Sequence, residues 1–182
     1  YVIPFILFQM LDVDFGFREA DVNGDGLTDF IQAINGGVFS QKVYLNKGDG
    51  KSWAEDSGYE IPVFFVEGTP GYDSAARFLD VNGDGLADIV SSNRNPFYKG
   101  VYINKGDGTG WLKKTNYTVP VEFIDTNSAS NDVRIDDFNG DGLTDFARSY
   151  QQGSSTIKKI YLNKSSKPDL LSKVSTSSGG TT

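Results

Sequence analysis

A nine-residue acidic string occurs three times in this chain. It reads Asp21-Val-Asn-Gly-Asp-Gly-Leu-Thr-Asp29, then Asp80-Val-Asn-Gly-Asp-Gly-Leu-Ala-Asp88, then Asp137-Phe-Asn-Gly-Asp-Gly-Leu-Thr-Asp145. The copies start 59 and then 57 residues apart. Self-similarity at such a period marks a repeat architecture, in which each unit buries its apolar face against the next. A fold for this chain must therefore place three equivalent acidic loops at three equivalent points.

Each loop carries side-chain oxygens at positions 1, 3, 5 and 9, and its glycines let the backbone curl between them. Such an all-oxygen donor set suits a hard cation, and calcium best. The expected ligands are Asp21, Asn23, Asp25 and Asp29, with the carbonyl of Leu27 at position 7. In the second loop they are Asp80, Asn82, Asp84 and Asp88 with the Leu86 carbonyl, and in the third Asp137, Asn139, Asp141 and Asp145 with the Leu143 carbonyl. The expectation is about three Ca²⁺ ions, one per repeat, with the leucine side chains turned into the fold. These are not EF-hands, which need a bidentate Glu at position 12 and flanking helices. Position 12 is Gln32, Ser91 or Arg148.

Other landmarks keep the register. Tyr1-Val-Ile-Pro4 matches Tyr59-Glu-Ile-Pro62 and Tyr117-Thr-Val-Pro120. Arg18, Arg77 and Arg134 each stand three residues before a loop, where pairing with loop or blade carboxylates is expected. Lys42-Val-Tyr-Leu-Asn-Lys47 matches Gly100-Val-Tyr-Ile-Asn-Lys105 and Lys159-Ile-Tyr-Leu-Asn-Lys164. The units run roughly over 1–58, 59–116 and 117–174, with a Ser/Thr/Gly-rich flexible tail over 175–182. Each reads as four short strands. The first follows the Tyr-x-h-Pro landmark (Ile3–Met10, Ile61–Val66, Val119–Ile124), so the apolar start of the chain is a strand rather than a leader. The second enters the loop (Phe17–Ala20, Ala76–Leu79, Val133–Asp136). The third leaves it (Asp29–Ile34, Asp88–Ser92, Asp145–Ser149). The fourth is the Val-Tyr-Leu-Asn run, whose alternating apolar residues have high β propensity. It ends in an Asn-Lys-Gly-Asp-Gly hairpin turn in the first two repeats. Trp53 or Trp111 then opens a partner segment.

Four-stranded units of this length favour β-propeller blades, and a closed propeller takes about four to eight of them. The fold class expected is all-β: three tandem blades forming a partial propeller, either a piece of a longer protein or one assembled with other chains. The loops and strands resemble FG-GAP repeats (integrin α-type, or VCBS). Arg-x-x-Asp-Val-Asn-Gly-Asp-Gly-Leu followed by Val-Tyr-Leu-Asn-Lys-Gly-Asp-Gly resembles the repeats of bacterial toxin-complex B components and YD-repeat/RHS toxins. That resemblance implies one Ca²⁺ per loop and a propeller that serves as a protein- or glycan-binding platform or a structural cap.

Composition narrows the function further. Net charge is -7, and the nine loop aspartates account for the acidity. An acidic chain has no electrostatic reason to bind nucleic acid or an anionic membrane. The chain has no Cys and no His, which removes disulfides, Cys/His zinc sites and His-based catalytic triads. The repeated aspartates are committed to the loops, and Glu19, Glu55, Glu67 and Glu122 form no catalytic pattern, so no enzymatic activity is expected. Millimolar calcium outside cells points to an extracellular or cell-surface protein, bacterial by its resemblance. The expected function is a structural and protein-interaction role, with a protein or further copies of the chain as partner. The alternatives are a lectin-like module that binds a glycan, and a ring- or filament-forming subunit.

Overall fold

A computed structural model describes residues 14–68, 71–92, 99–124 and 131–165. Among them every regular element is a strand. β1 (Phe17–Ala20), β2 (Asp29–Gly36), β3 (Val38–Asn46) and β4 (Trp53–Asp56) form an antiparallel sheet in sequential order. Two short strands, β5 (Val66–Glu67) and β6 (Tyr72–Asp73), extend the far end of β2, with β5 parallel to it. β7 (Ala76–Leu79), β8 (Asp88–Ser91), β9 (Gly100–Asn104) and β10 (Trp111–Lys114) repeat the four-stranded meander. β11 (Arg134–Asp136), β12 (Asp145–Gln152) and β13 (Ser155–Tyr161) give its first three strands again. The acidic loops join β1 to β2, β7 to β8 and β11 to β12. All three therefore lie at the same end of their sheets.

One expectation is corrected. Ile61–Val66 and Val119–Ile124 are not the first strands of their sheets, and the Trp53 and Trp111 segments supply the fourth strands instead. The Tyr-x-h-Pro stretches are extended connectors sandwiched between sheets. Their alternation is real: Ile61, Val63 and Phe65 are buried, as are Val119, Val121 and Phe123. Period-two burial needs only extended backbone, not a ladder. The connector's backbone bonds divide between two sheets. The Phe65 N–H donates to the Ala33 carbonyl at 2.8 Å, and the Phe65 carbonyl accepts from Ser74 N–H at 2.9 Å. Phe123 does the same with Ser92 and Asn131, both at 2.9 Å. Pro62 and Pro120 have no N–H to give a ladder. The strand expected at Ile3–Met10 and the whole of the tail over 175–182 lie outside the described residues.

The connectors divide the core into two slabs. One joins Val22, Ile31 and Val43 of the first sheet, through Ile61 and Phe65, to Ile89, Tyr102 and Trp111 of the second. The other joins Val81, Val90 and Val101, through Val119 and Phe123, to Phe146 of the third. Successive sheets thus stack face against face as blades of an open propeller-like row. Trp111 is core and its indole N–H donates to the Ala87 carbonyl at 2.7 Å, whereas Trp53, in the same register, is half-buried and donates to the Thr28 carbonyl at 3.3 Å. The Asn-Lys-Gly-Asp-Gly segments are plain turns, closed by Lys47 N–H to Ser52 O at 3.1 Å and Lys105 N–H to Gly110 O at 3.0 Å.

Candidate metal centre

The three loops adopt one conformation. In the first, Asp21 Oδ1 accepts N–H bonds from Gly24 at 2.7 Å and Asp25 at 3.2 Å, and its Oδ2 accepts from Gly26 at 2.8 Å. Asn23 Oδ1 accepts from Asp25 N–H, and Asp25 Oδ1 from Leu27 N–H. The Asn23 amide donates to Asp25 Oδ2 at 3.0 Å, which brings positions 3 and 5 together. Asp80 to Leu86 and Asp137 to Leu143 repeat this pattern bond for bond. Glycine is required at positions 4 and 6, where φ lies between +76° and +86° in all three copies.

Position 9 differs in character from the others. Asp29, Asp88 and Asp145 are fully buried. Each places one oxygen on the N–H of loop position 2 (Val22, Val81 or Phe138, 3.0–3.1 Å). The other oxygen takes the N–H of the Asn that ends the Val-Tyr-Leu-Asn string (Asn46, Asn104 or Asn163, 2.7–2.8 Å). One carboxylate thereby ties the loop to the third strand of its blade. Burial pushes Asp29 up from the ordinary carboxylate range against those two N–H bonds, and Asp25 and Asp21 add to the rise. Asp88 is pushed up to about 7 by burial, again against its N–H bonds and with Asp84 and Asp80 adding to the rise. At Asp137 burial is the largest single influence and raises the carboxyl, but the N–H bonds together, Gly142 foremost, outweigh it and hold the carboxyl below its usual range.

The donor chemistry fits a hard divalent cation. Each loop gathers three carboxylates and one amide oxygen. Among the described residues no basic side chain pairs with any of them, the ion pairs being Arg18 with Asp14 and Asp73, Arg77 with Asp73, and Lys42 with Glu55. A carboxylate offers about four lone-pair sites, so the N–H bonds do not exhaust these oxygens. The loops are nonetheless closed on their own N–H groups, and no three carboxylates among the described residues converge as a ready cage. Leu143 is buried as expected, while Leu27 and Leu86 are half-buried. Arg18 and Arg77 pair with blade carboxylates and not with the loops. Asp73 receives both, which ties the first blade to the second.

The residue that sequence reasoning passed over is the string's asparagine. Asn104 donates its side-chain amide to the Val22 carbonyl of the preceding loop at 2.9 Å, and Asn163 donates to the Val81 carbonyl at 2.8 Å. Thr144 adds a hydroxyl bond to the Asp80 carbonyl at 2.8 Å. Adjacent loops are thus pinned to one another. The recurrence of Asn at the strand end was the available signal.

This constellation of blades and loops has a counterpart among known families. The model of the FG-GAP-like repeat matches residues 21–91 and again residues 80–148, which together cover more than half of the chain. The chain belongs to the FG-GAP-like repeat family, and its repeats form a β-propeller-like structural and interaction module. No curated protein and no solved structure matches it.

Proposed function

We propose that this chain is a calcium-stabilised β-propeller segment of a secreted or surface protein, with a structural and protein-interaction role and no catalysis of its own. The observation that supports it most is the loop charge: three carboxylates per loop, one of them fully buried, with no basic partner among the described residues. A divalent cation would relieve that repulsion and hold β1 to β2 and their counterparts. Asp21, Asn23, Asp25 and Asp29 would hold it in the first loop, and the equivalent residues in the others. Binding to the folded state alone stabilises by RT ln(1 + [Ca]/Kd), about 2.7 kcal/mol per site at a hundredfold excess over Kd. Millimolar extracellular calcium would fill even weak sites of this kind. The likeness of the repeats to those of toxin-complex B components and RHS toxins suggests a bacterial toxin assembly as the setting.

Chelation tests the reading. The melting temperature is expected to fall sharply when a calcium chelator is added and to recover on adding excess calcium. An unchanged melting curve, with no calcium found by elemental analysis, refutes it. Among the described residues a glycan-binding role finds support in exposed Phe39, Tyr72 and Phe138, while Trp111 is committed to the core. Binding on a glycan array would favour that alternative.

A further inference from the structure

Among the described residues, the rear face of the third blade presents exposed the positions by which the first two blades receive their neighbours. The Val43 and Val101 side chains are 1% and 4% exposed, yet the residue in register with them, Ile160, is 61% exposed. Val22 and Val81 are 0% and 3% exposed, whereas Phe138 is 42% exposed. The carbonyls of Ala33 and Ser92 accept the connector N–H groups of Phe65 and Phe123. Their counterpart Ser149 is exposed and lines an open cleft of about 870 Å³ together with Ala147 and Ile160.

We propose that this face docks the first repeat of a second copy, head to tail, with the second copy's residues 1–7 laid into the cleft as a connector. Those residues read Tyr1-Val-Ile3-Pro4-Phe5-Ile-Leu7, the pattern of Tyr59-Glu-Ile61-Pro62-Val63-Phe-Phe65 and Tyr117-Thr-Val119-Pro120-Val121-Glu-Phe123. The first blade carries the complementary donor. Asn104 and Asn163 reach back to a preceding loop, whereas among the described residues Asn46 makes just the own-loop bond, to the Thr28 carbonyl at 3.2 Å, that Asn104 also makes to the Ala87 carbonyl at 3.4 Å. In the docked pair the Asn46 amide takes the Phe138 carbonyl of the preceding copy, as Asn104 takes that of Val22. The docked surface continues an interface that the chain already forms twice within itself. This deepens the interaction role proposed above and rests on the repeat architecture, not on the metal.

Sedimentation of the full chain over a range of concentrations, with calcium bound to the same sample measured in parallel, tests the proposal. Concentration-dependent association is expected. Ile160→Asp, at an exposed position that leaves the fold intact, weakens it at least tenfold. A synthetic peptide of residues 59–67 competes with association of the unaltered chain, which keeps the test independent of the variant. A monomer at every concentration overturns the proposal, whether its own residues 166–182 or nothing covers the face. So does association that neither Ile160→Asp nor the peptide disturbs. Association without bound calcium sinks the calcium reading alone, and bound calcium on a monomer sinks the docking alone.

Discussion

The side-chain amide of Asn104 bonds the carbonyl of Val22, 82 residues earlier, at 2.9 Å within a buried contact between two acidic loops. Asn46 makes the same turn-closing bond as Asn104, each accepting an N–H two residues on at 3.0 Å, but among the described residues it bonds no other loop. The pair therefore isolates what the cross-blade bond contributes. Asn104→Ala leaves a buried carbonyl with one partner fewer, a loss of about 1–3 kcal/mol. Asn46→Ala loses an exposed bond to Thr28 and costs clearly less. Urea unfolding of both variants checks this, and equal losses would mean that the cross-blade bond adds nothing.

Asp88→Asn tests the buried clamp apart from the metal. The amide nitrogen must face the N–H of either Val81 or Asn104, replacing an acceptor by a donor in a buried site. The expected loss is on the order of 1–3 kcal/mol, and it persists in chelator, where a ligand's contribution is already gone. Thermal melts with and without chelator separate the two roles. A variant as stable as the unaltered chain in chelator would assign Asp88 to metal binding alone.

Two glycines, one from the first hairpin turn and one from the end of the second, make a useful comparison. Gly50 has φ +67° and open space where a Cβ would stand, whereas at Gly110 (φ +101°) a Cβ would lie 2.3 Å from the Glu60 carbonyl. Gly50→Ala carries only the left-handed backbone cost, about 1–2 kcal/mol. Gly110→Ala adds a backbone clash and is expected to destabilise by considerably more. Melting temperatures of the two variants check the order.

Asp73 sets an acid limit. Burial alone would raise its carboxyl, but the Arg77 guanidinium at 2.8 Å and Arg18 at 3.7 Å outweigh that and hold it below the ordinary range. A carboxyl depressed in the folded state adds stability that is complete above its unfolded pKa near 3.8 and is lost as pH falls below that value through the folded one. Asp73→Asn should therefore lower stability at neutral pH and flatten the fall on the acid side. A melting profile taken from pH 6 to 2 shows this as a shallower slope than that of the unaltered chain.

Much of this architecture could be read from the residues. The repeated Asp21–Asp29 string gave the register, and the register placed the strands that enter and leave each loop. The connectors were misread because Ile61, Val63 and Phe65 alternate as a strand does, and alternation records burial on one side without saying whether backbone pairs alongside. The pinning of Val22 by Asn104 was out of reach, because a recurring Asn at a strand end serves equally as a turn former. At Asp29 the string showed an oxygen in the loop but not that both of its oxygens hold backbone N–H groups.

The most direct measurement is a calcium titration of the metal-free chain by calorimetry, with bound calcium counted by equilibrium dialysis. The loops' shared conformation predicts three ions per chain, and two when Asp21 and Asp25 are both changed to Asn. No binding at millimolar calcium, or a count that the double substitution leaves unchanged, would contradict the account.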